Sequence, residues 1–309
     1  MENKRSLFAD ISLLVVAIIW GSGFVVTKNA LDHITPYYLL AYRFMISFVI
    51  MALVFFKRFR KVKIEDLKAG FLIGIFLFGG FATQTVGLKY TTAGKQAFIT
   101  ATNVVMVPFI YWGISKKKPD AYEVLAALLC FVGIGVLSFE SNLRFGYGEF
   151  LTFICAIFFA LHISAIGYFA KEHDPVILSI LQMLVAGILS IIFTLIFEAK
   201  AENISKDAIF PILYLSIFST LIAFLVQNIA QKYTSSTHAA IILSLEAVFG
   251  GLLSLVFLKE PFTLRFLIGC IAILISIITT ETKWAFLKKS NQNSTLKFIR
   301  RDKHEEHGI

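Results

Sequence analysis

Charge is what this sequence lacks. Only 16% of its 309 residues are Asp, Glu, Lys or Arg, against about a quarter in a soluble domain, while 57% are hydrophobic and the mean hydropathy is +0.77. That balance excludes a soluble globular protein. Proline (6) and glycine (19) are too few for a collagen-like or low-complexity chain, and 32 Phe bring more apolar area than a disordered chain carries. Three cysteines, Cys130, Cys155 and Cys270, lie inside apolar runs without CxxC spacing, so neither a disulfide framework nor a zinc site is expected. Also missing are the phosphate loop GxxxxGK[ST], HExxH and GxSxG, so the expectation is no enzyme, no metal and no cofactor. The net charge of +9 does not indicate nucleic acid, because the basic residues sit in short runs between apolar blocks.

Those apolar blocks are the chain's main content. They fall at about 10–28, 36–56, 68–88, 94–114, 122–139, 147–170, 175–197, 208–231, 236–258 and 262–281, each near the roughly 20 residues that a helix needs to cross a hydrocarbon core. Runs of that length without period-2 alternation predict helices rather than barrel strands. The first follows Lys4 and Arg5 and continues past Trp20 with no small-residue cleavage site, so it is expected to stay as the first span. With ten spans both termini share a side, and that side collects 20 basic residues against 8 on the other, Arg43 alone lying within a span. Both termini are therefore expected in the cytoplasm, with the chain a multi-pass protein of the cell membrane.

The two halves repeat. A shift of 139 lays Asp32-His33-Ile34-Thr35-Pro36 on Lys171-Glu172-His173-Asp174-Pro175 and Arg43 on Gln182; a shift of 143 lays Phe81, Gln84 and Lys89-Tyr90-Thr91 on Phe224, Gln227 and Lys232-Tyr233-Thr234, and Asn103 on Glu246. Matches in this order predict a duplicated five-span unit. Five being odd, the copies are inverted in the membrane, which is the design of alternating-access carriers. The expected fold is an all-α membrane protein of ten transmembrane helices in two inverted five-helix repeats, 1–140 and 141–282, followed by a basic cytoplasmic tail, 283–309.

Several residues carry chemistry that lipid makes expensive. Glu246 lies ten residues into its span, about 15 Å deep at 1.5 Å per residue, and a carboxylate there must face a wet cavity or a partner. Reversible protonation for coupling and a purely structural hydrogen-bonding role both fit it. Asn103 occupies the repeat-equivalent depth, with Thr100, Thr102 and Ser244 within a turn; hydroxyls there either line a cavity or bond to their own backbone. The fork of Arg43 suits a carboxylate or phosphate, and the alternative is an internal pair, for which Glu246 is the candidate. Lys28 and Lys95 either line an outer vestibule or snorkel to headgroups. Trp20 could stack a ring and His162 could titrate, although a lone buried histidine is more often simply hydrogen-bonded. Gln84 and Gln227 read as gate or packing residues at repeat-equivalent positions. Gly70 and Gly74 suit close helix packing, and Asn203-Ile-Ser205 is a chance-level glycosylation pattern.

The stretch Ile19-Trp20-Gly21-Ser22-Gly23-Phe24 with Lys28, Pro36 and Arg43, then Asn103-Val104-Val105-Met106-Val107-Pro108, Leu245-Glu246-Ala247-Val248-Phe249 and Leu258-Lys259-Glu260 resembles the drug/metabolite transporter superfamily, in its EamA-like branch. The resemblance runs from about residue 8 to 281. It implies ten helices with termini inside and a central cavity that exports small metabolites, often amino acids. Ala247 stands where that family usually has proline after the glutamate, which leaves no proline to break the helix beside Glu246. The partners expected are a small-molecule substrate, the lipid bilayer and protons as coupling ion, with a homodimer left open. A passive channel or uniporter is the alternative class; a channel usually assembles its pore around a symmetry axis or a filter loop, whereas here a single chain carries its own inverted repeat.

Overall fold

The computed structural model describes residues 2–91, 93–138, 146–198, 205–257 and 264–283. The motif Leu258-Lys259-Glu260 with Pro261, Ser141, Asn203, the tail beyond Lys283 and the Lys95 side chain lie outside the described residues. Among the described residues there is no strand. The helices are α1 (Glu2–Ala30), α2 (Pro36–Val54), α3 (Phe56–Phe59), α4 (Ile64–Gly87), α5 (Ala93–Ala101), α6 (Asn103–Ser115), α7 (Ala121–Ser138), α8 (Tyr147–Phe169), α9 (Pro175–Phe197), α10 (Lys206–Tyr214), a π-helical segment (Leu215–Ile222) running on into α11 (Ala223–Gln231), α12 (Ser236–Leu243), α13 (Glu246–Phe257) and α14 (Leu264–Thr282).

Six stretches are long and apolar enough to cross a membrane: Arg5–Ala30, Pro36–Val54, Ile64–Gly87, Tyr147–Phe169, Pro175–Phe197 and Lys206–Gln231. Shorter apolar helices occupy Ile99–Ser115, Ala121–Val136, Ser236–Gly250 and Leu267–Thr280. Helix is the only open structure that satisfies each backbone group within its own segment in hydrocarbon. Large apolar side chains consequently point outward: Leu195 is 77% exposed and Phe210 73%, which suits lipid and would be an aggregation liability in water.

Helix starts follow local chemistry. Pro36 and Pro175 open α2 and α9, where a missing N–H costs nothing. Asp174 caps α9 by accepting from the Val176 amide at 2.9 Å, and Ser235 caps α12 through His238. Polar ties between helix ends then sort into two faces. On one, Glu198 at the end of α9 accepts from the amides of Tyr37 and Tyr38, both at 2.9 Å, and Glu149 accepts from Thr91. On the other, Arg58 pairs with Asp174 at 3.2 Å, His173 with Asp66 at 2.6 Å and Lys283 with Asp120.

Between these faces, α4 packs on α8 and α9, α2 on α9, α7 on α14, and α1 on α11, α12 and α13. The α4–α9 contact needs Gly74, where an added Cβ would meet the Val185 Cβ at 2.6 Å and the Gln182 carbonyl at 3.1 Å. The two largest apolar clusters lie around α1, α7 and α12 and around α2, α4 and α9, and Trp20 packs against both. A cavity lies between them.

Candidate functional site

The cavity brings together side chains from α1, α2, α4, α5, α6, α8, the π segment and α11 to α13. Trp20, Arg43, Thr100, Asn103, His162, Ser244 and Glu246 all line it, as do Gln84 and Gln227. These nine lie between positions 20 and 246, and the fold carries them to one place.

Its floor is set by two interrupted helices. The apolar run at 94–114 stops and restarts at Thr102, and that at 236–258 at Ser244-Leu245, so Asn103 opens α6 and Glu246 opens α13. Both breaks are tight turns: Thr102 N–H donates to Ile99 O (3.2 Å) and Val105 N–H to Thr102 O (3.1 Å), while Leu245 N–H donates to Ile242 O and Ala247 N–H to Ser244 O, each at 3.1 Å. The second break therefore forms without the proline. Ser244 supports it by donating to the Ile241 carbonyl at 2.6 Å, and Thr102 does the same to Ile99 at 2.7 Å. The Glu246 carboxylate consequently stands at the N-terminal end of a helix, where unpaired N–H groups favour negative charge.

Arg43 is only 3% exposed. Its Nε donates to Thr220 Oγ1, and one Nη donates to the Ser219 carbonyl (3.2 Å) and hydroxyl (3.1 Å). The guanidinium lies over the Phe81 ring, 4.3 Å from its centroid. The partner expected as an alternative, Glu246, is not the one it takes. Among the described residues neither Arg43 nor Glu246 has an ion-pair partner, and the second Nη of Arg43 makes no bond. The π segment explains how a cation is held there: its wider turn turns carbonyls toward neighbours, and Ser216 O accepts from Ser47 (2.7 Å) and Ser219 O also from Trp20 Nε1 (3.0 Å).

The remaining lining is aromatic and amide. Trp20 packs on Phe224 at 5.1 Å between centroids, Phe159 on Phe81 at 5.3 Å, and Phe81 meets Phe224 edge-on at 5.8 Å. His162 Nε2 lies 2.8 Å from Gln182 Oε1, and its ring stands edge-on to Phe224. Gln227 donates to Gln231 at 2.9 Å, and Gln84 O accepts from Gln96 at 2.6 Å. Thr100 lies 3.9 Å from Cys155 Sγ. Lys28 is not among the residues that line the cavity; it donates to the Leu88 carbonyl at 2.8 Å. Sequence reasoning missed Phe159, Ser219 and Gln96. The match of Phe81 with Phe224 between the halves was the available signal for the ring cluster, and no spacing pointed to the π segment.

Comparison with known proteins now adds its weight. The EamA-like transporter family model matches residues 7–139 and again 146–282. The chain belongs to that family. A protein of Archaeoglobus fulgidus named as an uncharacterized transporter is 40% identical over 282 residues, covering 91% of this chain and 88% of its own. The transporter YvbV of Bacillus subtilis is 25% identical over 285 residues (88% and 90% of the two chains), and a WAT1-related chloroplastic protein of Arabidopsis thaliana 24% identical over 277 (84% and 66%). A crystal structure at 18% identity superposes with a TM-score of 0.72, covering 88% of this chain and 96% of the other, which is a likeness of fold. This EamA-like chain is thus a multi-pass membrane transporter of the drug/metabolite superfamily, with the bilayer as its solvent and a small molecule as its cargo.

Proposed function

We propose that this transporter is a secondary carrier with two inverted five-helix repeats, 1–140 and 141–282, and a cytoplasmic tail, 283–309. It exports small zwitterionic metabolites such as amino acids across the cell membrane by alternating access, coupled to protons, with both termini inside. The observation that carries this reading is one cavity lined by a guanidinium and a carboxyl group that do not pair with each other, Arg43 and Glu246, on different halves of the chain. An α-carboxylate can take the unbonded Nη of Arg43 as a charge-assisted hydrogen bond, while an ammonium takes Glu246. A buried charge is costly unless it is paired, so each residue is better satisfied with substrate than without it.

The inverted repeat is supported by the packing. Exchanging the halves turns the contact of α1 with α11 into that of α8 with α4, and the contact of α1 with α12 and α13 into that of α8 with α5 and α6, and it leaves the α2–α9 and α7–α14 pairs unchanged. Proton coupling is supported by the place of Glu246 at the foot of the cavity, where loading a proton and loading an ammonium exclude each other.

The test is flux into liposomes holding the purified protein, with labelled amino acids and cationic dyes, with and without a pH gradient. Saturable accumulation of an amino acid that needs the gradient is expected. Flux that never saturates and only follows the solute's own gradient would make the chain a passive channel, and saturable flux indifferent to the gradient would make it a uniporter.

A further inference from the structure

Two side-chain-to-carbonyl hydrogen bonds are made to residues that line the cavity, Leu88 and Ile163. On the Glu198 face, Lys28 of α1 donates to the carbonyl of Leu88 at the end of α4, at 2.8 Å. On the opposite face, Gln231 at the end of α11 donates to the carbonyl of Ile163 in α8, at 3.0 Å, and is itself fully buried.

The two ties sit at matched places. The shift of 143 lays Leu88 on Gln231, and the shift of 139 lays α1 on α8, with Lys28 falling on Gly167, one turn beyond Ile163. Each joins the first and third long helices of its own half, at opposite faces of the molecule. Each also sits one turn beyond a cavity-lining glutamine: Gln84 precedes Leu88, and Gln227 precedes Gln231 and donates to it at 2.9 Å. Elsewhere α1 and α4 barely touch, and α8 and α11 share only a short contact. Parting α1 from α4 there therefore costs little more than one hydrogen bond, whose net worth in a protein is modest, and parting α8 from α11 costs one such bond and the His162–Phe224 ring contact.

We infer that Lys28–Leu88 and Gln231–Ile163 are the two latches of the transport cycle, and that this structure is the conformation with both closed. The inference rests on the alternating-access reading. Releasing the Lys28 latch opens the cavity to the Glu198 face, and releasing the Gln231 latch opens it to the Asp174 face.

The experiment needs no substrate. In a background with Cys130, Cys155 and Cys270 replaced by Ala, Leu243→Cys places a thiol in the cavity, and a membrane-impermeant maleimide is added to either side of oriented vesicles. Lys28→Met should speed labelling from the Glu198 face about tenfold, as for loss of a hydrogen bond with a charged donor, and leave the other face unchanged. Gln231→Met should speed labelling from the Asp174 face by roughly fivefold, as for a neutral hydrogen bond. Lys28→Arg, which keeps a donor, should label like the parent. Acceleration from both faces in either variant would mean general loosening and would overturn the assignment, as would no change from either face. Side-specific labelling in a protein that concentrates no solute would leave the latches standing and remove the coupled-carrier reading alone.

Discussion

Arg43 is held by donor geometry that a lysine cannot copy. Its Nε and one Nη are fixed on Thr220 and Ser219 and its guanidinium lies over Phe81, leaving the second Nη without a bond. Arg43→Lys keeps the charge and loses the fork, so the apparent KM for a carboxylate-bearing substrate should rise roughly tenfold to a hundredfold, as for loss of a charged hydrogen bond. An unchanged KM would assign Arg43 to structure alone. Glu246→Gln keeps shape and removes the titrating group; uptake driven by a pH gradient should disappear while exchange of labelled for unlabelled substrate persists. Wild-type accumulation across pH 5 to 8 would count against coupling through this carboxylate. Both residues were visible in the sequence because charge inside an apolar run is conspicuous. Their partners were not, because Ser219 and Thr220 are ordinary hydroxyl residues until a π-turn points them at Arg43.

Close approach and helix interruption act on whole elements. Gly74 lets α4 lie directly on α9, and Gly21 does the same for α1 on α13, where an added Cβ would meet the Gly250 amide nitrogen at 2.8 Å and the Glu246 carbonyl at 2.9 Å. Gly74→Val overpacks a contact with backbone behind it, and thermal unfolding in detergent should show a loss of about 1–3 kcal/mol. The pair of Asp120 and Lys283 ties the start of α7 to the end of α14. Burial raises the Asp120 pKa, but the hydrogen bond from Lys283 and that from the Glu123 amide outweigh it and hold it below the ordinary carboxylate value; the hydrogen bond to Asp120 lifts Lys283 above its own. The small stabilisation is present above the ordinary carboxylate pKa and is lost as pH falls through the lowered one. It is equally present below the ordinary lysine pKa and lost as pH rises through the raised one. Hydrogen exchange at the α14 terminus should therefore be flat across neutral pH, after correction for intrinsic rates, and Asp120→Asn should raise it there.

For the molecule as a whole, the distribution of basic residues and the two sets of end-to-end ties define two faces, and sidedness is what separates a working carrier from a misassembled one. His33 and Lys117 are exposed on opposite faces. His33→Cys should react with an impermeant thiol reagent in intact cells, and Lys117→Cys only in inverted vesicles. Reaction of both from one side would overturn the topology, and reversed sidedness would place the termini outside.

Composition and run length alone determined that this chain lives in a bilayer, because hydrocarbon admits few structures and the count of apolar residues selects among them. Order along the chain also exposed the residues too polar for lipid. What only the tertiary structure decided is which of those face one another. Arg43 and Glu246 share a cavity without pairing, the ninth apolar run breaks beside Glu246 with Ala247 in place of a proline, and Lys28 closes on a backbone carbonyl. Carbonyls look alike in every sequence, and a π-turn or a tight turn between half-helices is settled by what packs against it. Such features arise from the assembled helices, where the cost of an unsatisfied polar group in a dry interior selects the partner.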